Sequence, residues 1–482
     1  MAPPRGTSAA QRARLRLART IAGFSFDRLI AAEVLVLTCA AGFLAKVQSD
    51  TWWHLRAGLE MVGSGHLMMA DSFSHTAYGA YWPNYEWLSQ LLFFGLYRLG
   101  GVGALAVFCG ALTAAACVMS FGLMRGRAEG RALLFLVAAL GVARGWAVRP
   151  QVISLTLVMA TAWLLVAERR RWLPLLFLLW ANLHGAVAWG VVLLAADVIS
   201  NAFGRDKARV RGSLGWAALA LLATQGTPLG FSYWPDIIWS IRRSELVSEW
   251  QPPGLSGDFI PFWALLAALG AAAIRWLGRV PDRRGKFIVV AAILMGVSAA
   301  RVQRNISAFS LVAAPALSHL LWRPRAEAPD LAAEVTPVRG WVHAVLVTVT
   351  AGFAVTGVLW VWRERPEMVG SRPMSSAAAT AIGNCPPPLY NHFNDGGFVI
   401  WFAPTQRVFL DSRLNPYPPE LVRAQVDAER TGNYDPLLTQ YGTNCAVAAP
   451  GSQTVTVLAS KGWRQTFRDR QWVVLVRPGE GQ

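Results

Sequence analysis

Along residues 29–362 the chain alternates long apolar runs with short polar joints, and the runs reach or approach the roughly 20 residues a helix needs to cross a 30 Å hydrocarbon layer. No stretch alternates polar and apolar residues like a barrel strand, and a bilayer leaves backbone polar groups no water to bond, so the runs read as helices. About eleven spans are predicted, over 29–47, 103–124, 131–146, 150–168, 172–185, 187–203, 212–226, 259–276, 286–302, 305–321 and 341–362. Short joints make sequential helices antiparallel neighbours in a bundle. Three segments break the pattern. Residues 48–102 form a long first outer loop holding a helix-like stretch, DTWWHLRAGLEMV, and an amphipathic one, EWLSQLLFFGLYRL, suited to the interface. Residues 227–257 are Trp-rich and broken by Pro, as expected at headgroup depth. From 363 to 482 the chain turns polar, with β-like runs GGFVIWF, RVFLD, CAVAAP and QWVVLVR around a helix near 418–430, which reads as a small α/β domain. The fold class is therefore an all-α polytopic membrane bundle with a small C-terminal extracytoplasmic α/β domain. Its divisions are a cytoplasmic tail over 1–28, a transmembrane domain over 29–362 and the α/β domain over 363–482.

Charge orients this picture. Only 15% of the 482 residues are charged, against roughly 25% in soluble domains, and the formal net charge is +17. Clustered cations of that number invite a nucleic-acid reading. Their placement opposes it, because the arginines gather in the joints at 12–19, 125–131, 169–171, 205–211 and 279–286, the positive-inside pattern. With those joints in the cytoplasm, the first outer loop and the tail after 362 lie outside. Basic residues precede the first apolar run as in a secretory signal, but that run has full span length and no small-residue cleavage site follows, so it reads as an uncleaved helix. Cys39, Cys109 and Cys117 lie within spans and serve as small apolar fillers. Cys385 and Cys445 fall in the external domain, where an oxidising compartment would favour a bridge; free thiols are the alternative.

The topology rests on the basic joints alone, so the placement of the other costly residues is an independent observation. Asp50, His54, Arg56, Asp71, Glu86, Arg144, Arg149, His184, Glu249, Arg301 and Arg304 all fall at outer helix ends or in outer loops. Taken singly, each reads as a snorkelling side chain; as a one-sided set of both signs they point to a water-filled site. Asp50 opens the first outer loop and could accept a proton from a hydroxyl, or merely N-cap the helix from Thr51. His54 lies one turn on along the same face, and Gly58 a further turn on leaves room for a ligand to approach. Asp71 shares the capping ambiguity. Asp50 and Asp71 are the carboxylates a divalent cation, Mg or Mn, could use, although no tight carboxylate cluster surrounds either. Arg149, Arg301 and Arg304 carry guanidinium forks suited to phosphate, with structural ion pairing as the competing account. His184 in WANLHG could be an acid, a phosphate donor or a helix-end histidine linked to Asn182. Trp250, beside Glu249, could stack on a sugar ring, and equally suits an interfacial segment without further function.

These segments together resemble the GT-C class of glycosyltransferases, multispan enzymes that use polyprenyl-phosphate-linked sugars. The resemblance rests on DTWWHLRAG after the first span, DSFSHT and WPNYEWLSQ in the same loop, RPQ at Arg149, NLHG at His184 and RVQRN at Arg301. DTWWHLR is similar to the Asp-Pro-Trp-Phe-Asn-Tyr-Arg type segment of oligosaccharyltransferase catalytic subunits. The whole pattern looks closest to the bacterial branch grouped with lipopolysaccharide-core RgtA-like transferases. The class places its catalytic acidic residue in the first loop, which implies Asp50, with Asp71 or Glu86 as the loop's second acidic position. The Trp-Trp-Asp-Tyr-Gly motif of oligosaccharyltransferases is absent; NDGGFVIWF and FLDSRLNPYP stand in that region, which argues against asparagine-linked transfer.

The resemblance implies an integral membrane glycosyltransferase, inverting, that moves a sugar from a polyprenyl-phosphate carrier to a hydroxyl of a lipid, glycan or protein acceptor. Asp50 would be the base, Arg149, Arg301 and Arg304 would hold the leaving phosphate, and His54, Arg56, Asp71, Glu86, His184, Glu249 and Trp250 would line the substrate site. The setting would be the bacterial inner membrane, with the C-terminal domain on the periplasmic or extracellular side. Two other classes compete: a transporter or flippase of lipid-linked sugars, which usually shows paired halves and interrupted helices, and a binding module whose ligand surface would use Asp395, Asp411 and Arg413.

Overall fold

The computed structural model describes residues 47–243, 247–255, 257–276, 280, 282–322 and 374–478, with scattered positions between 32 and 40 and between 345 and 359. The expected spans 29–47 and 341–362, and Cys39, lie outside the described residues apart from those positions.

Helix α1, Ser49–Ser64, carries the DTWWHLR motif. It is followed by α2, Trp87–Leu123, which joins two elements the sequence separates: the amphipathic stretch and the span from 103 form one helix bent at Gly100 and Gly101. Gly101 sits at φ 61, a left-handed conformation that costs a glycine nothing. Eight further helices fall where apolar runs are predicted: α3 Ala128–Ala143, α4 Gln151–Val166, α5 Leu173–Leu183, α6 Val187–Phe203, α7 Lys207–Ala223, α9 Ile260–Trp276, α10 Arg283–Arg301 and α11 Ile306–Leu321. Helix α8, Tyr233–Arg243, forms within the Trp-rich segment. By length and composition, Trp87–Leu123 and Gly257–Arg275 are the two described helices long and apolar enough to cross a membrane.

The bundle is held by one continuous apolar core in which Phe135, Phe177, Trp180 and Phe309 are fully buried. Small residues let its helices close up: a Cβ at Gly141 would lie 2.1 Å from Ser310 Oγ, and one at Gly145 would lie 2.8 Å from Ser307 Oγ. One end is locked by a buried carboxylate. Asp197 Oδ2 accepts Arg170 Nε at 3.0 Å and Ser213 Oγ at 2.7 Å, while Oδ1 accepts Arg170 Nη2 at 2.8 Å.

Residues 374–478 fold into a four-stranded sheet of order β1-β2-β4-β3, with β1 Leu389–Asn391, β2 Cys445–Ala448, β3 Arg464–Arg468 and β4 Val473–Val476. β1 pairs parallel with β2, and β4 pairs antiparallel with both β2 and β3. CAVAAP and QWVVLVR are strands as expected, and the helix near 418–430 is α14, Pro419–Thr431. α12 is Ser376–Gly383, α15 is Asp435–Gln440 and α16 is Gln453–Ser460. The expectation fails for GGFVIWF, which is helix α13, Gly396–Phe402. A short, continuously apolar run does not distinguish a buried strand from a buried helix. Here Phe398, Trp401 and Phe402 surround the buried Trp52 of α1, with ring centroids 6.4, 6.1 and 4.7 Å away. RVFLD likewise makes a single bridge, Val408 to Ser74, rather than a strand in the sheet. Cys385 and Cys445 form a disulfide that fastens the segment before β1 to the first residue of β2, with their Cα atoms 5.9 Å apart.

Candidate active site

The first turn of α1 decides where Asp50 points. Helix α1 is capped at Gln48, not at Asp50: the Gln48 N–H donates to the Thr51 hydroxyl at 3.2 Å, and that hydroxyl donates to the Val148 carbonyl at 2.5 Å. Asp50 is thereby relieved of capping, and the same bond fastens the helix start beside Arg149. Arg149 precedes Pro150, which disfavours helical geometry at its position and leaves it at the mouth of α4. Its Nη1 donates to Asp50 Oδ2 at 3.0 Å, and its Nη2 reaches both oxygens of Glu249 at 3.1 Å. Arg304 adds a looser contact to Glu249, 3.6 Å, and lies over the Trp250 ring at 5.4 Å. Arg149 is nine-tenths buried, whereas the Glu249 side chain is 40% exposed, so in this cluster the cation is fixed and the anion is the movable partner.

A second cluster centres on Glu86, at the start of α2. Its Oε1 lies 3.2 Å from His184 Nε2 and its Oε2 lies 3.6 Å from His54 Nε2. The partners of His184 define its tautomer. Ala186 N–H donates to its Nδ1 at 3.3 Å, so that nitrogen carries no proton. Trp180 Nε1–H donates to Ser154 Oγ at 2.7 Å, which leaves the Ser154 proton for Nδ1 at 2.8 Å. The ring is thus neutral with its proton on Nε2, facing Glu86. Asn182 does not hold His184; its amide is spent on Trp87, Leu178 and Gly226. Burial pushes the Glu86 carboxyl up to about 7, with Arg304 opposing, Asp50 adding to the rise and Arg149 opposing. His54 is held well below the ordinary histidine range, first by burial and then by Arg149 and Arg304.

Both clusters open on one cavity of about 720 Å³, lined by Asp50, His54, Glu86, Arg149, His184, Glu249, Trp250 and Arg304 among others. The remaining expected site residues lie elsewhere. Arg56 pairs with Glu60 at 2.6 Å and lines a separate cleft of about 520 Å³. Asp71 is buried away from the lining, where it caps its own turn through Phe73 N and Ser74 N and grips Arg413. Arg301 ends α10 with an exposed side chain outside the cavity. Gly58 makes room for protein rather than ligand, since a Cβ there would lie 2.4 Å from the Gln90 carbonyl oxygen of α2.

The carboxylates suggested for a cation do not fit one. Asp50 is closed by Arg149 and Ser412, Asp71 by Arg413, and the two do not meet in the cavity. Among the described residues no group of three or more His, Cys, Asp or Glu could hold a metal ion. Arg149 stands between Asp50 and Glu249, where a bridging cation would need to be.

Sequence reasoning missed the wall supplied by the C-terminal α/β unit: Phe393, Asn394, Asp395, Ser412, Arg413 and Asn415 all line the cavity. The Ser412 hydroxyl donates to Asp50 Oδ1, and Asn415 Nδ2 donates to Tyr85 OH at 3.0 Å. The signal was the polar cluster DSRLN after the apolar RVFL, which reads equally well as a surface turn. Asp395, Asp411 and Arg413 do not form a separate ligand surface. Asp411 and Arg413 are an internal ion pair, and Asp395 joins the wall of the larger cavity.

Two solved structures of the oligosaccharyltransferase of Archaeoglobus fulgidus are similar to this chain. In the form tethered by a disulfide bond to an acceptor peptide containing the NVT sequon, the TM-score is 0.53 at 12% identity, covering 87% of this chain and 69% of that one. In the apo form it is 0.55 at 10% identity with the same coverage. ArnT from Cupriavidus metallidurans bound to undecaprenyl phosphate aligns over 97% of this chain and 98% of its own, at 14% identity and a TM-score of 0.46. No family model matches the sequence, and no curated protein matches it. The described bundle has the GT-C fold that the motifs around Asp50 implied.

Proposed function

We propose that the protein is a membrane glycosyltransferase that moves a sugar from a polyprenyl-phosphate carrier to a hydroxyl of a lipid, glycan or protein acceptor on the extracytoplasmic face, with inversion. One observation carries this reading. Seven of the eleven ionisable residues chosen from the sequence because they fall on one side of the assigned topology, Asp50, His54, Glu86, Arg149, His184, Glu249 and Arg304, meet in the lining of a single cavity. The fold shared with an oligosaccharyltransferase supports it.

In the reaction the acceptor oxygen attacks the anomeric carbon and its proton passes to Asp50. The bond from that carbon to the phosphate oxygen breaks, and the polyprenyl phosphate leaves with the electron pair. Arg149 and Arg304 face the phosphate as charge develops on it, a preorganised arrangement in which each donor contributes on the order of 2 to 4 kcal/mol. Glu249 holds the phosphate position until the donor arrives, and its exposure lets it swing away. Trp250, His54, Glu86 and His184 shape the remainder of the donor site. No step requires a divalent cation. We place the catalytic domain in residues 29–362 and the external α/β domain in 363–482, in the inner membrane of a bacterium with the N-terminus in the cytoplasm.

The test is a membrane assay with a panel of polyprenyl-phosphate sugars, comparing the wild type with Asp50→Asn. The wild type is expected to form glycosylated product. The variant is expected to assemble normally and lose turnover by at least a hundredfold, and unchanged turnover would remove Asp50 from the role of base. A flippase would instead move the labelled carrier across sealed vesicles with no product formed.

A further inference from the structure

Asp50 is fixed at both oxygens by residues far apart in the chain. Arg149 engages Oδ2 at 3.0 Å, and the Ser412 hydroxyl engages Oδ1. Trp53, one turn along α1, donates Nε1–H to the same Ser412 oxygen at 3.0 Å. An indole N–H only donates and a serine hydroxyl has one proton, so the Trp53 bond occupies a lone pair of Ser412 and its proton is committed to Asp50. The relay Trp53 to Ser412 to Asp50 has a single polarity.

The segment that delivers Ser412 is held with unusual firmness for a turn. Asp411 Oδ1 accepts the Arg413 backbone N–H at 3.0 Å and Nε at 2.8 Å, and its Oδ2 accepts Tyr417 OH at 2.6 Å. The Arg413 guanidinium lies over Trp82 and Phe73, 4.6 and 4.8 Å from their centroids, and reaches Asp71 in the first outer loop. Leu414 is held at φ 59, a left-handed conformation that a branched residue adopts only when its surroundings impose it. The unit also docks directly beside Asp50. Gly397 N–H donates to Ser49 Oγ at 3.1 Å, and a Cβ at Gly397 would lie 2.0 Å from the Ser49 carbonyl oxygen.

We infer that Ser412 is a positioning residue for Asp50: the C-terminal α/β unit inserts one serine hydroxyl, oriented by Trp53, to hold the catalytic carboxylate in its working rotamer. Adhesion between the two parts of the chain does not require this bond, because Asp71–Arg413, the Ser74–Val408 bridge and the Trp52 aromatic cluster already supply it. A serine that served adhesion alone could vanish without altering the chemistry.

The inference rests on Asp50 as the base of the proposed transfer, so two measurements are paired. In the transfer assay, Ser412→Ala is expected to lower kcat about 10- to 100-fold, the range for losing a hydrogen bond to a charged group. Donor KM should stay within about threefold and the thermal midpoint should fall by no more than about 3 °C, while Ser412→Thr, which keeps the hydroxyl, should recover most of the rate. The second measurement needs no donor. A carbodiimide labels a carboxyl most readily when its neighbours leave it free to turn, so in purified full-length protein the Asp50 peptide of Ser412→Ala should be labelled about tenfold faster than that of the wild type. Equal kcat in the two proteins, or equal labelling of Asp50, would overturn the inference. A wild type that transfers nothing from any donor would defeat the proposed function instead, and the labelling comparison would still decide the link between Ser412 and Asp50.

Discussion

Glu86 gives the most quantitative test of the cavity's electrostatics. Its carboxyl is carried from 4.5 to about 7, burial being the largest cause. A group whose folded value exceeds its unfolded one binds its proton more tightly in the folded protein. Its contribution to stability is therefore complete below about pH 4.5 and is lost as pH rises through 7. At about 1.36 kcal/mol per unit the difference amounts to about 3 kcal/mol by pH 8.5. Glu86→Gln removes the ionisation while keeping an oxygen for the His184 Nε2–H, so it should abolish this loss without breaking the contact. Wild type and variant should unfold at similar temperatures near pH 4.5. By pH 8.5 the variant should be higher by about 3 °C, taking the average entropy of unfolding for a chain of this length. Intrinsic tryptophan fluorescence of the detergent-purified protein, heated at pH 4.5, 6, 7 and 8.5, reads the difference directly. Midpoints that run parallel across that range would refute the reasoning, because they would mean that Glu86 releases its proton in the ordinary carboxylate range despite its enclosure.

Further outcomes follow from the ion pairs. Glu249→Gln should lower the donor KM about fivefold with little change in kcat, because it removes the exposed anion competing for Arg149 and Arg304; a raised KM would show that Glu249 binds substrate itself. Asp197→Asn, at the opposite end of the bundle, should cost about 3 kcal/mol by leaving Arg170 buried without its counterion. It should depress the thermal midpoint by a few degrees while donor KM stays fixed, and an unchanged midpoint would refute the assignment.

The helical bundle was legible because its apolar runs are long and its joints carry arginine, and the positions of α4, α6, α9 and α10 follow from that alone. The bend at Gly100–Gly101 was not, since two glycines at the edge of a hydrophobic run suit a loop as well as a kinked helix. The α13 segment was misread because tertiary contact with Trp52, rather than periodicity, decides its conformation. The cavity was half legible. Arg149, Arg304 and the histidines betray themselves by the cost of placing them near lipid, and Asp50 by its motif. Ser412 carries no such cost, and nothing local marks a serine more than three hundred residues away as a partner of Asp50. Arg56, Asp71 and Arg301 share the composition of the true lining but not its direction, and direction is a property of the packed helices.

The contact at Gly58 has a wider meaning. Where α1 crosses α2, the space between Gly58 and the Gln90 carbonyl admits a hydrogen atom and nothing larger. His54 sits one turn before that crossing and Glu86 one turn before Gln90, so the fulcrum sets the gap across which the histidine and the carboxylate face each other. A single added methyl group would act as a wedge, prying the two helices apart and carrying their reactive ends with them. The alignment of the chamber is thus governed from a spot that touches no substrate, by the smallness of one residue.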